Sequence, residues 1–361
     1  MRILQISSAK SFGGGERHLV DLTNALIKKG HDLYVALTPG SPLIPHLAKI
    51  ESGKILPLPL RNALDISSGW KLRKFVRDQR IEIIHAHVAR DYPLAALAVG
   101  RPGNAKLVLT RHVMFPLSKV HKLTKRRVTR VIAISEAVAD NLRAQNIFDP
   151  HQIAVIRHGI DLTRFHLTKN PESKTSDTLR VGMLGELSPV KGQDDFLRAA
   201  AIVAAHTDNV EFVIVGRDNS SDNRNRREIE ALIRKLDLAG RVLLLDSIDD
   251  AFQFFSGLDV FVSAARSEAF GLAIVEAMAS GVTVVATMTP GAQEIIEHAK
   301  TGRLVPIGDV AEMARAVSEL LPDRGQREFL AGNARREVAE RFSLDRMASE
   351  TESLYREISE S

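Results

Sequence analysis

Apolar residues recur along the chain in short runs, and longer stretches with helical periodicity separate these runs. The first run, Arg2 to Ser7, precedes a glycine-rich turn and a helical stretch from Glu16 to Lys29. This alternation continues through both halves of the chain and is typical of buried parallel strands linked by helices. Strands are predicted at residues 2–7, 32–37, 54–58, 82–86, 106–110, 130–134, 179–184, 210–215, 241–245, 258–263 and 282–286. The predicted helices include 16–29, 69–79, 135–145, 192–205, 224–238 and 272–280, and the chain is predicted to be helical from residue 310 onward.

One polar stretch without periodicity, Leu167 to Thr178, separates the two halves of this pattern. It suits a linker between domains, and 361 residues are enough for two domains with a core each. With 44% hydrophobic and 26% charged residues, the composition is that of a soluble globular protein. The sequence therefore predicts two α/β domains.

The absence of cysteine excludes a disulfide framework, a thiolate nucleophile and a cysteine metal site, and it agrees with a reducing cytoplasm. The first residues fit a strand rather than a signal peptide, and no apolar stretch reaches the roughly 18 residues that a membrane span needs. A formal charge of +5 favours anionic partners such as nucleotide-sugars, phosphorylated acceptors or acidic lipids. We therefore expect a cytoplasmic protein.

Six lysines and arginines lie between Lys119 and Arg130, interleaved with Val120, Leu123 and Val128 as on a helix. Two interpretations remain open. The segment is either a solvated helix face or a basic amphipathic patch for an anionic membrane surface or a phosphorylated acceptor. A nucleic-acid partner is not expected, because no aromatic residues alternate with these cations and no binding motif is visible.

Two carboxylates flank a glycine where a predicted strand passes into a helix. Glu268 lies in the connecting loop and Glu276 in the first turns of the helix, so both can face the carboxyl end of the strand. The N–H groups of Phe270 to Ala273 point the same way, and the helix dipole there favours an anionic ligand. Because carboxylates accept hydrogen bonds from hydroxyls, these residues fit a sugar joined to a phosphate.

The segment S-E-A-F-G-L-A-I-V-E, which ends at Glu276, resembles the E-x7-E signature of retaining glycosyltransferases, in particular glycosyltransferase family 4 with the GT-B fold. The resemblance implies two facing Rossmann-like domains with parallel sheets and a C-terminal helix that crosses back to the N-terminal domain. It implies an acceptor-binding domain at residues 1–167, a nucleotide-sugar-binding domain at 179–343 and the crossing helix at 344–361.

The loop after the strand at 179–184 resembles the family's donor-phosphate loop, in which Lys191 would steady the departing diphosphate. Glu186 stands where the family has an arginine. Either Arg217 at the end of the next strand compensates for the missing cation, or Glu186 points away toward the acceptor. The resemblance implies that Glu268 and nearby N–H groups hold the sugar, while Glu276 holds the ribose hydroxyls. The residues expected to bind the donor are Gly14, Gly15, Lys191, Arg217, Phe270, Gly271, Leu272, Ala273 and Glu276.

The glycine-rich turn F-G-G-G-E-R resembles the family's loop between the first strand and its helix. In the family this loop lies across the donor diphosphate and borders the acceptor, which assigns Gly14 and Gly15 to the donor and Glu16 and Arg17 to the acceptor. Bare glycine backbone at a helix start suits a phosphate, and a flexible turn is the alternative explanation of the glycines.

Histidines end two of the predicted strands. His85 and His87 project from the same face of one strand, and Asp91 follows closely. No third ligand accompanies them at a recognisable spacing, so we expect a pocket wall or hydrogen-bonded histidines and no metal. In the family, the segment with His87 and Asp91 lines the acceptor cleft, and His112 corresponds to a histidine that reaches the donor sugar. The catalytic residues implied by the resemblance are Glu268, Lys191 and His112.

The function implied is that of a metal-independent retaining glycosyltransferase. It would move a sugar from a nucleoside-diphosphate-sugar, of UDP or GDP type, to a hydroxyl of a cell-envelope glycan, a glycolipid or a small glycoside. No cofactor beyond this co-substrate is expected. The enzyme would work in the cytoplasm, and a lipid-linked acceptor would bring it to the inner face of an anionic membrane. Two alternatives remain: a GT-B sugar-nucleotide epimerase, and a non-catalytic partner that binds sugar-nucleotides.

Overall fold

The computed structural model describes residues 1–47, 49–100, 105–165, 178–248 and 250–360. The chain forms two compact units: Met1–Gly159 with Leu344–Ser361 make the first unit, and Ile160–Ser343 make the second. Of the predicted linker, only Thr178 lies within the described residues.

Seven parallel strands form the sheet of the first unit, in the order β3-β2-β1-β4-β5-β6-β7. The central strands are almost fully buried, as expected for strands covered on both faces. The strands are β1 Arg2–Ser7, β2 Asp32–Leu37, β3 Ile55–Pro57, β4 Ile83–Ala86, β5 Lys106–Arg111, β6 Arg130–Ala133 and β7 Ile153–Val155.

The helices of the first unit include the last helix of the chain, α12 (Leu344–Glu360). Its buried face, with Met347, Tyr355 and Ile358, joins the same hydrophobic core as Ile3 and Leu22. Burying each such side chain stabilises the fold by about 1.5–3 kcal/mol, which fixes the helix on this unit. The α-helices are α1 Gly14–Lys28, α2 Ile66–Asp78, α3 Tyr92–Ala98, α4 Glu136–Ala144 and α12 Leu344–Glu360.

Six parallel strands form the sheet of the second unit, in the order β10-β9-β8-β11-β12-β13. They are β8 Leu179–Leu184, β9 Val210–Val215, β10 Val242–Leu245, β11 Val260–Ser263, β12 Thr283–Thr287 and β13 Arg303–Val305. The helices of this unit are α5 Gln193–Ala204, α6 Arg224–Lys235, α7 Ala251–Ser256, α8 Leu272–Ala279, α9 Pro290–Ile295, α10 Val310–Leu320 and α11 Arg324–Arg341. The predicted architecture of two Rossmann-like domains with parallel sheets is confirmed.

The helix predicted between Lys119 and Arg130 is wrong. The structure has two short 3-10 turns there, Lys119–Leu123 and Lys125–Arg127. The reason is a tertiary contact: both ring nitrogens of His121 lie 2.9 Å from carbonyl oxygens, those of Ser118 and Ala89. A buried imidazole held by these carbonyls folds the backbone into tight turns and overrides the helical spacing of the apolar residues. Among the described residues, no helix combines the length and apolar character that crossing a membrane requires.

Candidate active site

The loop from β8 to α5 carries Lys191 and is held by close backbone contacts on both sides. A Cβ atom built at Gly216, at the end of β9, would lie 1.9 Å from the carbonyl oxygen of Gly185. Gly192 has a φ of +72°, and a Cβ there would lie 2.0 Å from the carbonyl oxygen of Ala264, just after β11. Only glycine permits both approaches, so the loop is fixed at the carboxyl ends of the sheet.

Lys191 and Glu268 form an ion pair. The Nζ atom of Lys191 lies 2.6 Å from Oε2 of Glu268, and the two side chains are 31% and 19% exposed. The lysine follows β8 and the glutamate follows β11, and these two strands are neighbours in the sheet. Two residues far apart in the sequence therefore meet at the carboxyl ends of neighbouring strands, where ligands of open α/β sheets bind.

The loop that carries Glu268 ends at Gly271, whose φ of +107° favours glycine. Phe270 anchors it, because its buried ring packs 5.7 Å from the ring of Phe342, centroid to centroid. Gly291 packs against this loop. Its N–H donates to the carbonyl oxygen of Glu268 at 3.1 Å, and a Cβ atom built at Gly291 would lie 2.5 Å from the carbonyl oxygen of Phe270.

Helix α8 begins at Leu272, directly after this loop. The first N–H groups of an α-helix have no partner within the helix, so those of Leu272 and Ala273 are directed at the space before it. Glu276 lies one turn further on and is 4% exposed. The second carboxylate of the motif is therefore a buried group, whereas Glu268 is partly exposed.

Glu186 and Arg217 differ in their surroundings. The exposed Glu186 carboxylate accepts a hydrogen bond of 3.1 Å from the side-chain amide of Asn219, in the loop after β9. Arg217 is also exposed, and its guanidinium has no hydrogen-bond or ion-pair partner among the described residues. A free cation is thus present at the carboxyl end of β9, and the Glu186 side chain is held by the loop beside it.

Arg266, which the sequence analysis missed, braces the same loops. Its guanidinium lies 2.9 Å from a carboxylate oxygen of Asp194 and 2.7 Å from one of Asp195, both at the start of α5. Its backbone N–H donates to the carbonyl oxygen of Val190. Burial raises the pKa of Asp194, but hydrogen bonds from Arg266 and Arg198 outweigh it and leave that pKa below its usual value. A second cluster of ion pairs therefore joins the loop that carries Lys191 to the loop that carries Glu268.

In the first unit, Glu16 caps its own helix. Its carboxylate accepts the backbone N–H of Gly13 at 3.0 Å, which satisfies one of the unpaired donors at the start of α1. Burial raises the pKa of this carboxyl. A Cβ built at Gly15 would lie 3.4 Å from the ring of His112, so the glycine turn lies directly against that histidine.

His85 and His87 are confirmed to project from the same face of their strand, since their ring centroids lie 4.2 Å apart. The two nitrogens of His85 lie 2.5 Å from the Tyr355 hydroxyl and 2.6 Å from the Thr110 hydroxyl. His85 is therefore a fully hydrogen-bonded core histidine. His87 differs, because only its Nε2 has a short contact, 2.7 Å from Oε1 of Gln5.

His87 is part of a histidine cluster that the sequence did not predict. Nε2 of His112 lies 3.4 Å from Nδ1 of His87, and the ring of His18, on α1, lies 4.9 Å from those of His112 and His158. Burial lowers the pKa of His18 to about 4 and lowers the pKa values of His87 and His112 well below their usual range. These imidazoles are neutral at physiological pH. No sequence spacing could reveal the cluster, because its members come from separate elements.

Asp91 is fully buried, and its Oδ2 accepts the backbone N–H of Ser8 at 2.8 Å. Burial raises the pKa of this carboxyl to about 6, although the hydrogen bonds from Ser8 lower it. The side chain thus holds the end of β1, where the glycine-rich turn starts.

Two family models match the chain side by side. The model of Glycosyltransferase Family 4 matches residues 12–164, and the model of Glycosyl transferases group 1 matches residues 166–337. The capsular polysaccharide biosynthesis glycosyltransferase CapM of Staphylococcus aureus is 26% identical over 67% of this chain and 65% of its own length. The lipopolysaccharide core biosynthesis mannosyltransferase LpcC of Rhizobium leguminosarum bv. viciae is 30% identical over 64% of this chain and 65% of its own length. The chain thus spans just under two thirds of the length of each of these relatives.

The structure of Anabaena HepE in complex with UDP and glucose superimposes on this chain with a TM-score of 0.84. The match covers 99% of this chain and 100% of HepE at 23% identity, and it confirms the predicted GT-B fold. Since the two family models together extend from residue 12 to residue 337 with a gap of one residue, the chain belongs to glycosyltransferase family 4.

Proposed function

We propose that this protein is a retaining glycosyltransferase that moves a sugar from a nucleoside-diphosphate-sugar to a hydroxyl acceptor. The observation that carries the proposal is the 2.6 Å contact between Lys191 and Glu268. It puts the candidate phosphate cation beside the candidate sugar-binding carboxylate. The donor itself joins a diphosphate directly to a sugar, so one ligand spans both groups. The start of α8, beside Glu268, adds N–H donors for its oxygens.

When the donor binds, the ammonium of Lys191 would leave its ion pair with Glu268 and pair with the diphosphate instead. Glu268 is then free to accept hydrogen bonds from sugar hydroxyls. Negative charge builds on the diphosphate as the glycosidic bond breaks, and a fixed cation stabilises that charge most in the transition state. The acceptor hydroxyl attacks the anomeric carbon from the side of the departing diphosphate, and a phosphate oxygen takes the hydroxyl proton. This front-face step retains the anomeric configuration and uses no enzyme nucleophile.

The proposed donor is a UDP- or GDP-sugar, and the transfer step needs no further cofactor. The UDP and glucose bound by HepE support this class of donor for the fold. Its ribose would bind Glu276, whose buried carboxylate accepts hydrogen bonds strongly in a site shielded from water. Arg217, a free cation among the described residues, supplies the second positive charge that the family's arginine normally brings.

The proposed acceptor is a cell-envelope glycan, a glycolipid or a small glycoside, bound by the first unit near Glu16, Arg17, His87 and Asp91. The names of CapM and LpcC, which concern capsular polysaccharide and lipopolysaccharide core, support this class. A lipid-linked acceptor fits the segment 119–130, where Lys122, Lys125 and Arg126 are exposed. Leu123 is 82% exposed beside them. Cations around an exposed apolar side chain favour the surface of an anionic membrane, and we propose that the enzyme works at its cytoplasmic face.

Incubation of the purified chain with UDP- and GDP-sugars tests the proposal. Donor hydrolysis or transfer is expected, and the anomeric configuration of the product, measured by NMR, should match that of the donor. Conversion of the donor to its epimer would assign the protein to the epimerases instead. Binding without turnover of any donor, with several acceptors present, would leave a non-catalytic sugar-nucleotide-binding protein.

A further inference from the structure

Three histidines of the first unit converge from separate elements. His18 lies on α1, His87 directly follows β4 and His112 directly follows β5. Strands β1, β4 and β5 are neighbours in the parallel sheet, and α1 follows β1. The topology therefore brings three imidazoles to one end of the sheet, although they are distant in the sequence.

The distances between their nitrogens suit a metal ion. One ring nitrogen from each histidine lies within 4.8 Å of those of the other two. The closest pair, Nδ1 of His87 and Nε2 of His112, is 3.4 Å apart. A tetrahedral Zn²⁺ with Zn–N bonds of about 2.0–2.1 Å separates its ligand nitrogens by about 3.3–3.4 Å. This pair is therefore already at the spacing of two zinc ligands.

The hydrogen bonds around the cluster give a second, independent observation. Oε1 of Gln5 lies 2.7 Å from Nε2 of His87, so an Nε2–H donates to it and Nδ1 keeps its lone pair. An amide oxygen behind a histidine is a common support of metal ligands. The Nδ1 atom of His18 is buried and has no hydrogen-bond partner among the described residues. Such atoms cost free energy unless a ligand satisfies them.

Two nearby side chains that could compete for a metal are engaged elsewhere. Both nitrogens of His85 contact the hydroxyls of Tyr355 and Thr110, and the Glu16 carboxylate caps α1. His112 is partly exposed, whereas His18 and His87 are buried. An ion can thus reach the cluster from the side of His112.

We propose that His18, His87 and His112 bind one Zn²⁺ ion. Neutral imidazole is a preferred zinc ligand, and three protein ligands leave a fourth position for water. The site goes beyond the transfer reaction, because that step is proposed to involve no metal.

The test uses the full chain without a histidine tag, stripped with a chelator and dialysed against Zn²⁺. We expect one zinc per chain by elemental analysis, and Co²⁺ in its place should give the visible absorption of a tetrahedral nitrogen site. His18→Gln and His112→Gln should each weaken zinc binding by at least ~10²-fold, and Gln5→Leu by ~10- to 100-fold. His151→Gln, which changes an exposed histidine outside the cluster, should bind zinc like the parent.

Circular dichroism shows whether each variant is folded, and the Co²⁺ spectrum of the parent decides the question even where a variant does not fold. The proposal is overturned if the parent binds no stoichiometric zinc and gives no tetrahedral Co²⁺ absorption. It is equally overturned if folded His18→Gln and His112→Gln proteins retain as much zinc as His151→Gln.

Discussion

Lys191 is the residue on which the proposed chemistry depends most. Among the residues that the structure describes, its one ion pair is with Glu268, and it sits in a loop fixed by two glycine contacts, so its charge is preorganised. Lys191→Ala should lower the maximal rate by on the order of 10²- to 10³-fold, the scale for losing one preorganised group in the transition state. Steady-state kinetics at saturating donor measure this, and donor affinity should change less than the rate.

The matched control is Lys300→Ala. Lys300 forms an ion pair of similar length, 2.8 Å, with Glu297 in the same unit, but both side chains are well exposed. This variant should keep the parental rate. Parental turnover by Lys191→Ala at saturating donor would show that the loop is structural and that the assigned phosphate site is wrong.

Glu276→Gln tests the ribose assignment. The side chain is buried in α8, so an isosteric amide keeps the packing while removing the charge that strengthens hydrogen bonds from hydroxyls. Donor affinity should fall on the order of tenfold or more, since a hydrogen bond to a charged group contributes about 1.5–3 kcal/mol. Calorimetric titration with the nucleoside diphosphate measures it, and circular dichroism checks the fold. Unchanged affinity in a folded variant would remove Glu276 from the donor site.

The sequence pattern of segment 119–130 predicted the wrong secondary structure, but it still predicts a cationic surface. Its apolar spacing suggested a helix, but His121 folds it into turns that expose Leu123 with three cations. Replacing Lys122, Lys125 and Arg126 by serine should weaken binding to anionic vesicles by about 1 kcal/mol per charge near the surface. Co-sedimentation with vesicles of increasing phosphatidylserine content measures the loss.

A variant with Lys235, Lys300 and Arg336 changed to serine removes the same charge from exposed positions in the second unit. It should bind vesicles like the parent. Equal binding by the parent and by the variant of the cationic segment would leave only the solvated-surface interpretation.

The elements that the sequence predicted well are those with long, regular patterns. Strands β1, β2, β8 and β9 begin and end at the predicted residues. Strands β7 and β13, of three residues each, were not predicted. Lys191 and Glu268 were predicted separately from their motifs, but their contact depends on β8 and β11 being neighbours. The histidine cluster depends on the packing of α1 against the sheet, which no local spacing encodes.

The buried histidines should make the first unit sensitive to acid. His18 takes up a proton near pH 6.5 when unfolded but only near pH 4 when folded, because burial lowers its pKa. Between these values the unfolded state binds more protons, so the free energy of unfolding falls as pH falls. Between pH 7.5 and pH 5 this loss is about 2 kcal/mol for His18 alone. Three further buried histidines, His85, His87 and His158, shift in the same direction.

Asp91 opposes this trend, because its folded pKa of about 6 lies above its unfolded value and it stabilises the unit as pH falls. Glu16, whose pKa burial also raises, opposes the trend too, but four buried histidines outnumber these two carboxyls, so the net effect is acid destabilisation. The single tryptophan, Trp70, lies in the first unit, and its fluorescence during urea unfolding reports on this unit. With chelator present, the free energy of unfolding should be several kcal/mol lower at pH 5 than at pH 7.5. His18→Gln should reduce that difference by ~2 kcal/mol, whereas His151→Gln should leave it unchanged. Equal stability of the parent at both pH values would contradict the burial of neutral histidines in this core.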